Sequence, residues 1–206
     1  IAADEIMFAG LSLENNSLKI LADDNHIGAS FSYDNSGDQD NHGELVVNGD
    51  LDRENGIFGV SIDILPSTLY LNSKEWNIQP STIRIDGSNI EVDTFGVVSG
   101  EQSVGIFGRT SDETREVLTL NLERFDLSMI NALLPSDFGV KGAVTGVARL
   151  TSPLSEMELM VDMVCDSTYI ANVPLGIVKF GTTWDESEER FNFFANNDLR
   201  GLRNID

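Results

Sequence analysis

Residues 141–163 read KGAVTGVARLTSPLSEMELMVDM, two extended stretches separated by a short polar break. Apolar residues occupy alternate positions from Met157 to Met163, and Glu158 and Asp162 stand between them. Successive side chains of a β-strand point to opposite faces of the sheet, so this pattern predicts a strand with one apolar and one polar face. The fold therefore depends on what covers the apolar face.

The same alternation recurs along the chain. Residues 60–64, 83–86, 90–93, 118–122 and 191–195 each predict a strand of this kind. Helix is predicted once, in DLSMINALLP at residues 126–135, where Asp126 can serve as N-cap and Pro135 ends the segment. The chain is therefore predicted to be all-β with one short helix.

A loose repeat underlies the strands. Residues 43–64, 101–122 and 140–161 each contain a strand with glycine, a polar gap and an alternating strand. In addition, IEVDTFGV from Ile90 and LNLERFDL from Leu120 align without gaps, and Phe95 and Phe125 stand where each alternation stops. Repeated hairpins that cannot bury their own apolar faces stack into an elongated body.

Two architectures satisfy this pattern. One is an elongated, strongly curved antiparallel sheet, a β-groove whose apolar face lines a trough. The other is a closed β-sandwich, in which a second sheet covers the first. Periodicity is identical in the two, and glycine within a strand marks a bulge, a bend or close backbone approach in either.

Charge limits the partners. The 206 residues include 34 acidic and 13 basic side chains, for a formal net charge of −21. Such a chain repels nucleic acid and does not dock electrostatically on anionic lipid headgroups. No apolar run of membrane-spanning length and no signal peptide occurs, and we expect the chain, which begins at Ile1, to be a piece of something longer.

Catalytic and metal-binding patterns are missing from the sequence. Cys165 is a lone cysteine and is predicted to be a core thiol, and His26 and His42 are predicted to lie exposed in turns. The polar stretch 34–44 fits no calcium-loop register and is predicted to be a hairpin loop. Trp76 and Trp184 are expected to pack at the sheet margin with their N–H groups satisfied. We therefore expect no enzyme activity, no metal and no cofactor.

Residues 76–195 resemble a TamB-type protein of the AsmA-like superfamily. The resemblance lies in the order of short segments: a strand ending at Phe125, DLSMINALLP at 126–135, a glycine-rich strand at 142–150, a pause at 152–155, and PLG at 174–176. Residues 1–75 share with that family only the general pattern of alternating strands, and none of these segments. None of these segments is catalytic, and the chain is treated as one segment, 1–206, of a larger repetitive protein.

The resemblance implies a periplasmic location within a protein anchored in the inner membrane by a helix outside this chain. In that family an apolar β-groove carries phospholipid between the inner and outer membranes and supports outer-membrane assembly. A barrel partner would bind through regions outside this chain. The alternative function is a carbohydrate-binding or structural β-sandwich module of a surface protein.

The candidate ligand is thus the phospholipid acyl chain, and the candidate site is the set of alternating apolar rows. The groove-lining residues predicted on this basis are Val60, Ile62, Ile64, Leu118, Leu120, Leu122, Met157, Leu159, Val161 and Met163.

Overall fold

The computed structural model describes residues 2–8, 11–36, 40–54, 57–71, 73–87, 89–111, 116–133, 139–151, 158–185 and 190–198. These form fifteen strands and one 3₁₀ helix, Leu127–Leu133, between the eleventh and twelfth strands. The first eight strands are β1 Ala2–Phe8, β2 Leu11–Asp23, β3 His26–Ser36, β4 Asp40–Glu54, β5 Ile57–Ile64, β6 Ser67–Leu71, β7 Lys74–Ile78 and β8 Ser81–Asp86. The others are β9 Asn89–Ser99, β10 Gln102–Thr110, β11 Leu118–Asp126, β12 Val140–Thr151, β13 Glu158–Ile170, β14 Val173–Asp185 and β15 Arg190–Asp198.

All described strands belong to one antiparallel sheet. Strand β4 pairs with β5 along one part of its length and with β6 along another. Strand β9 pairs in the same way with β8 and β7. The β5–β8 and β6–β7 pairs share one register, so these four strands form a single long hairpin interrupted at Pro66 and Pro80. The sheet is consequently an uninterrupted meander, about 60 Å across its thirteen strand positions at the usual strand spacing.

The prolines explain the interruption, because proline has no N–H to donate to the ladder. The residue before each one keeps its strand attached: the Leu65 N–H donates to the Val46 carbonyl at 3.0 Å, and the Gln79 N–H donates to the Gly96 carbonyl at 2.8 Å. The predicted all-β antiparallel sheet is confirmed. It is one sheet rather than the two sheets of the alternative sandwich.

Bulges curve this sheet, and two of them occur at the repeated phenylalanines. The register of β9 on β10 slips by one residue just before Phe95, and that of β11 on β12 slips just before Phe125. An extra residue bends its strand and increases the local twist. In both strands the slip returns the phenylalanine to the face that carries the alternating apolar residues, opposite Ile106 or Val144.

Gly146 permits close approach of β12 and β13. Its φ is +151°, and a Cβ at this position would lie 2.6 Å from the Cα of Met163. Gly142 also has positive φ, at +139°, and a Cβ there would lie 2.6 Å from the Sγ of Cys165. Of the roles predicted for glycine in this strand, which were a bulge, a bend or close backbone approach, close backbone approach is confirmed.

The predicted helix is a 3₁₀ helix, Leu127–Leu133, and residues 134–138 lie outside the described part. Asp126 caps it as expected, since its carboxylate accepts the Ser128 N–H at 2.9 Å. The helix is fixed to β12 by Asn131, whose amide bonds both the N–H and the carbonyl of Val140 at 2.7 and 2.9 Å. Leu127 packs against the small core formed by Val144, Met163 and Cys165.

The polar stretch 34–44 is not the long loop that was predicted. Strand β3 continues to Ser36 and β4 begins at Asp40, with Asp34 paired to His42. Only residues 37–39 remain as the connection, and they lie outside the described residues. Polar composition alone was misleading here, because one face of an antiparallel sheet can be fully hydrated.

Candidate functional site: the apolar face of the sheet

The predicted lining residues that the structure describes all lie on one face. Cross-strand partners join them into rows that run perpendicular to the strands. One row crosses seven strands: Ile62, Ile83, Val92, Gly108, Leu118, Leu150 and Leu159. Beside it lie Phe95, Ile106, Leu120, Ala148 and Val161, and then Val97, Val104, Leu122, Gly146, Met163, Phe180 and Ala195.

Val60 and Ile64 extend the same face toward the first strands. Val60 pairs with Leu51 and Ile85, and Ile64 is in a row with Ile20, Ala29, Val47 and Ser81. We call the face carrying these five rows the apolar face. The structure therefore brings together nine of the ten predicted residues, and the tenth, Met157, lies outside the described part.

Charge is segregated between the two faces. None of the residues in the five rows is Asp, Glu, Lys or Arg. On the opposite face one row of the same strands contains His26, Asp50, Ser61, Arg84, Glu91 and Arg109. Because directly opposed side chains interact, opposite charges support the pairing of these strands. In this part of the sheet the acidic side chains lie on this opposite, hydrated face, which we call the polar face.

The apolar face is only partly covered. Of the described lining residues, Met163 is buried at 7% exposure, while the other eight are half-buried. In a closed sandwich, facing sheets would bury such residues in a shared core. On the outer strands the same face is open to solvent: Ile20 on β2 is 56% exposed and Phe193 on β15 is 75% exposed. The face is thus the floor of an open trough.

A cavity of about 540 Å³ lies in this trough where β13, β14 and β15 meet. It is lined by Val161, Met163, Phe180, Gly181, Phe193, Phe194 and Ala195, with Thr182 as a polar neighbour. The Thr182 hydroxyl is occupied, since it donates to the Leu159 carbonyl at 2.7 Å and accepts the Val161 N–H at 2.9 Å. The lining therefore offers a bound molecule mainly hydrocarbon contacts.

The predicted lining included neither Phe180 nor Phe193, although the alternation at 191–195 already placed Phe193 in an apolar row. For Phe180 the signal was also present, because Val178, Phe180 and Thr182 alternate with Lys179 and Gly181. The pattern was harder to recognise because Thr182 is not apolar and Gly181 is not polar, so the two sets of alternating residues differ little in polarity. Gly181 permits close approach of β15, since a Cβ there would lie 2.7 Å from the ring of Phe194.

The far end of the face, near the β6–β7 hairpin, contains buried aromatic residues. Trp76 is 4% exposed, and no hydrogen-bond partner for its Nε1 occurs among the described residues. The prediction of a satisfied N–H is therefore wrong for Trp76, whereas the side chain of Trp184 lies outside the described part. Tyr33 donates to the Tyr70 carbonyl at 3.1 Å, and burial raises the pKa of Tyr33 to about 12.

The remaining candidates for chemistry occupy separate places. Cys165 is 1% exposed, which confirms the predicted core thiol, and burial raises its pKa. His26 is exposed on the polar face with Nδ1 2.8 Å from Asp50 Oδ1. His42 is in strand β4 and stacks on Tyr70 with ring centroids 4.3 Å apart, so the prediction of a turn histidine is wrong for His42.

Within the described ranges, no three His, Cys, Asp or Glu side chains converge as metal ligands. No helix of that part of the chain has the length and hydropathy needed to cross a membrane. Comparison of the chain with protein-family models, with curated proteins and with solved structures gives no match. The geometry of the apolar face is therefore the main evidence on function.

Proposed function

We propose that the chain is a lipid-carrying segment of a larger TamB/AsmA-like protein of the bacterial envelope. In this proposal the trough holds phospholipid acyl chains and conducts them across the periplasm, between the inner and outer membranes, in support of outer-membrane assembly. The anchor and any barrel partner belong to regions outside this chain. The proposal rests on one observation: an uncharged apolar face that continues across seven strands and remains partly exposed.

The physical mechanism is partition. Burying an acyl chain against hydrocarbon gains about 0.8 kcal/mol for each CH₂ group removed from water. Because the rows continue from strand to strand, a chain could move along the trough without crossing a charged side chain. Such transfer requires no nucleophile, metal or cofactor, and the proposal assigns no enzyme activity.

The test is native mass spectrometry after incubation with vesicles of phosphatidylethanolamine and phosphatidylglycerol. We expect the wild-type chain to leave the vesicles with bound phospholipid, identified by solvent extraction. Leu120→Asp should abolish this binding, because it introduces a charge at the centre of the trough. The matched control is Asn121→Asp, which adds the same charge one residue away on the exposed polar face.

Phe193→Asp separates lipid binding from folding. Phe193 is 75% exposed, so this variant should fold like the wild type. Asn192→Asp is its control, because Asn192 is exposed on the other face of β15. Loss of lipid in Phe193→Asp but not in Asn192→Asp supports the trough. The proposal is contradicted if Leu120→Asp and Phe193→Asp both fold and both bind as much lipid as the wild type.

A wild-type chain that takes up no lipid also contradicts the proposal. Quenching of tryptophan fluorescence by glycans would then favour the carbohydrate-binding alternative. If neither ligand binds, the structural-module alternative is favoured.

A further inference from the structure

Strand β15, Arg190–Asp198, forms one edge of the sheet in the described part of the chain, since it pairs with β14 and with no other described strand. Its register on β14 runs through nine consecutive residue pairs without a bulge, and it contains neither proline nor glycine. A long, regular edge strand presents a row of backbone donors and acceptors that can pair with another strand. This edge is therefore a binding surface for an extended segment.

The other edge of the described sheet is protected against such pairing. Strand β1 carries Asp4 and Glu5, both exposed, near the middle of its seven residues. Charged side chains are a common means of blocking an edge, and two copies of β1 would repel each other. Strand β15 has no charged residue between Arg190 and Asp198. Of the two edges, β15 is thus the one that lacks this protection.

The middle of β15 is apolar and open to solvent. Phe193 is 75% exposed and Phe194 is 44% exposed. They belong to the uncharged stretch FNFFANN at residues 191–197, and such a composition is typical of segments that pair with identical copies of themselves. A neighbouring strand would remove part of this apolar surface from water, which favours pairing.

The charges at the two ends of β15 are complementary to each other. In an antiparallel pair of two β15 strands centred on Phe194, residues equally distant from Phe194 stand opposite each other. Arg190 of each copy then lies opposite Asp198 of the other, and the contact occurs twice because the arrangement is two-fold symmetric. Opposite charges across a strand pair favour pairing. In the same register Phe193 lies opposite Ala195.

We propose that β15 pairs with β15 of a second copy, so that the chain forms a two-fold symmetric dimer with one continuous sheet. Directly opposed residues share a face, so the apolar faces of the two copies lie on the same side and meet at Phe193 and Ala195. Both residues line the cavity between β13, β14 and β15, and the second copy adds its own pair to that lining. The interface follows from the edge strand and does not depend on the lipid-carrying function.

The oligomeric state is measured by sedimentation velocity of the 206-residue chain over a series from micromolar to millimolar concentration. One strand pair makes a small interface, so we expect a reversible dimer. Arg190→Asp turns two attractive contacts into repulsive ones and should raise the dissociation constant about tenfold. Asp198→Arg should do the same with two basic side chains. Arg190→Asp with Asp198→Arg restores opposite charges and should recover the wild-type constant.

Arg149→Asp is the matched control, because Arg149 is exposed on β12, three strands from the edge, and undergoes the same change of charge. It reports the effect of net charge alone, which should be small at physiological ionic strength. A wild-type chain that remains monomeric over the whole series overturns the proposal. A dimer whose dissociation constant no β15 variant changes forms elsewhere on the molecule and overturns it as well.

Engineered cysteines test the register. Asn192 and Asn196 are both exposed, and in the proposed pair they stand opposite each other. Opposed Cα atoms of antiparallel strands are about 4.5 to 5.5 Å apart, within the range of a disulfide. Asn192→Cys with Asn196→Cys should therefore crosslink two copies on oxidation.

Each single cysteine variant is a control for the double variant. Its two copies of the same cysteine would lie about 14 Å apart in the proposed register, too far for a disulfide. The native Cys165 is 1% exposed and does not compete. If the double variant crosslinks no faster than the single variants, this pairing of β15 is overturned.

Discussion

Beneath the 3₁₀ helix, Val144 and Cys165 are 2% and 1% exposed, whereas on the outer strands of the same face Ile20 and Phe193 are 56% and 75% exposed. These residues all belong to alternating apolar strands, so the sequence pattern does not distinguish them. The difference comes from what surrounds them: two glycines bring β12 close to β13, and Leu127 packs on top. Alternation determines the face of a residue, and local bulges and covers determine its burial.

The largest effect is expected where the face is closed. Val144→Asp places an unpaired charge in the core, and we expect the free energy of unfolding to fall by about 4 kcal/mol. Met160→Asp, at a residue that is 60% exposed on the other face of β13, is the control and should change it by less than about 0.5 kcal/mol. Urea denaturation followed by tryptophan fluorescence measures both.

If Val144→Asp does not fold, Val144→Ala gives the same comparison with a cost of about 2 kcal/mol. Equal stability of Val144→Ala and a Met160→Ala control would show that this region is as open as the outer strands.

The next effect concerns the glycine that brings the two strands together. Gly146→Ala should cost about 2 kcal/mol, because alanine is strained at a φ of +151° and its Cβ would crowd Met163. Gly139→Ala is the control, since a Cβ at Gly139 meets no atom within 4 Å. A thermal melt should separate the two variants by several degrees. Coincident melting curves would mean that close approach of β12 and β13 does not create the buried core.

Much of the fold could be predicted from the sequence because one physical rule, alternation, is repeated in most strands. The nine described lining residues were placed on one face from this rule, and Phe95 and Phe125 marked two bulges. Tyr33 was not recognised as buried, since its contact with the Tyr70 carbonyl joins β3 to β6, which are distant in sequence.

A smaller effect is expected at the cap of the 3₁₀ helix that covers the core. Asp126→Ala removes the acceptor for the Ser128 N–H and should cost about 1 kcal/mol at pH 7. Asp126→Asn retains an acceptor and should cost less. If Asp126→Ala leaves both stability and the protection of Val144 from hydrogen exchange unchanged, the helix is not what closes this region.

The pH dependence of the same variant gives an independent check. Partial burial raises the pKa of Asp126, but hydrogen bonds from Ser128 and the contact with Lys74 outweigh it, so that the pKa lies below that of a free aspartate. A depressed folded-state pKa stabilises the fold at pH values above the pKa of the unfolded chain, and this contribution is lost as the pH falls through the folded value. The stability difference between wild type and Asp126→Ala should therefore shrink on acidification, and a difference that grows would contradict the assigned contacts.

The smallest effect on stability is expected at the open end, where Ile20 and Leu21 stand next to each other on opposite faces of β2. They are 56% and 79% exposed, so either residue changed to Asp should alter the free energy of unfolding by less than about 0.5 kcal/mol. Their effects on lipid should nevertheless differ, because only Ile20 shares a row with Ile64 on the apolar face. Ile20→Asp should lower phospholipid uptake measured by native mass spectrometry, and Leu21→Asp should not. If the two variants lower uptake equally, lipid contacts this end of the sheet without regard to face, and the trough ends before β2.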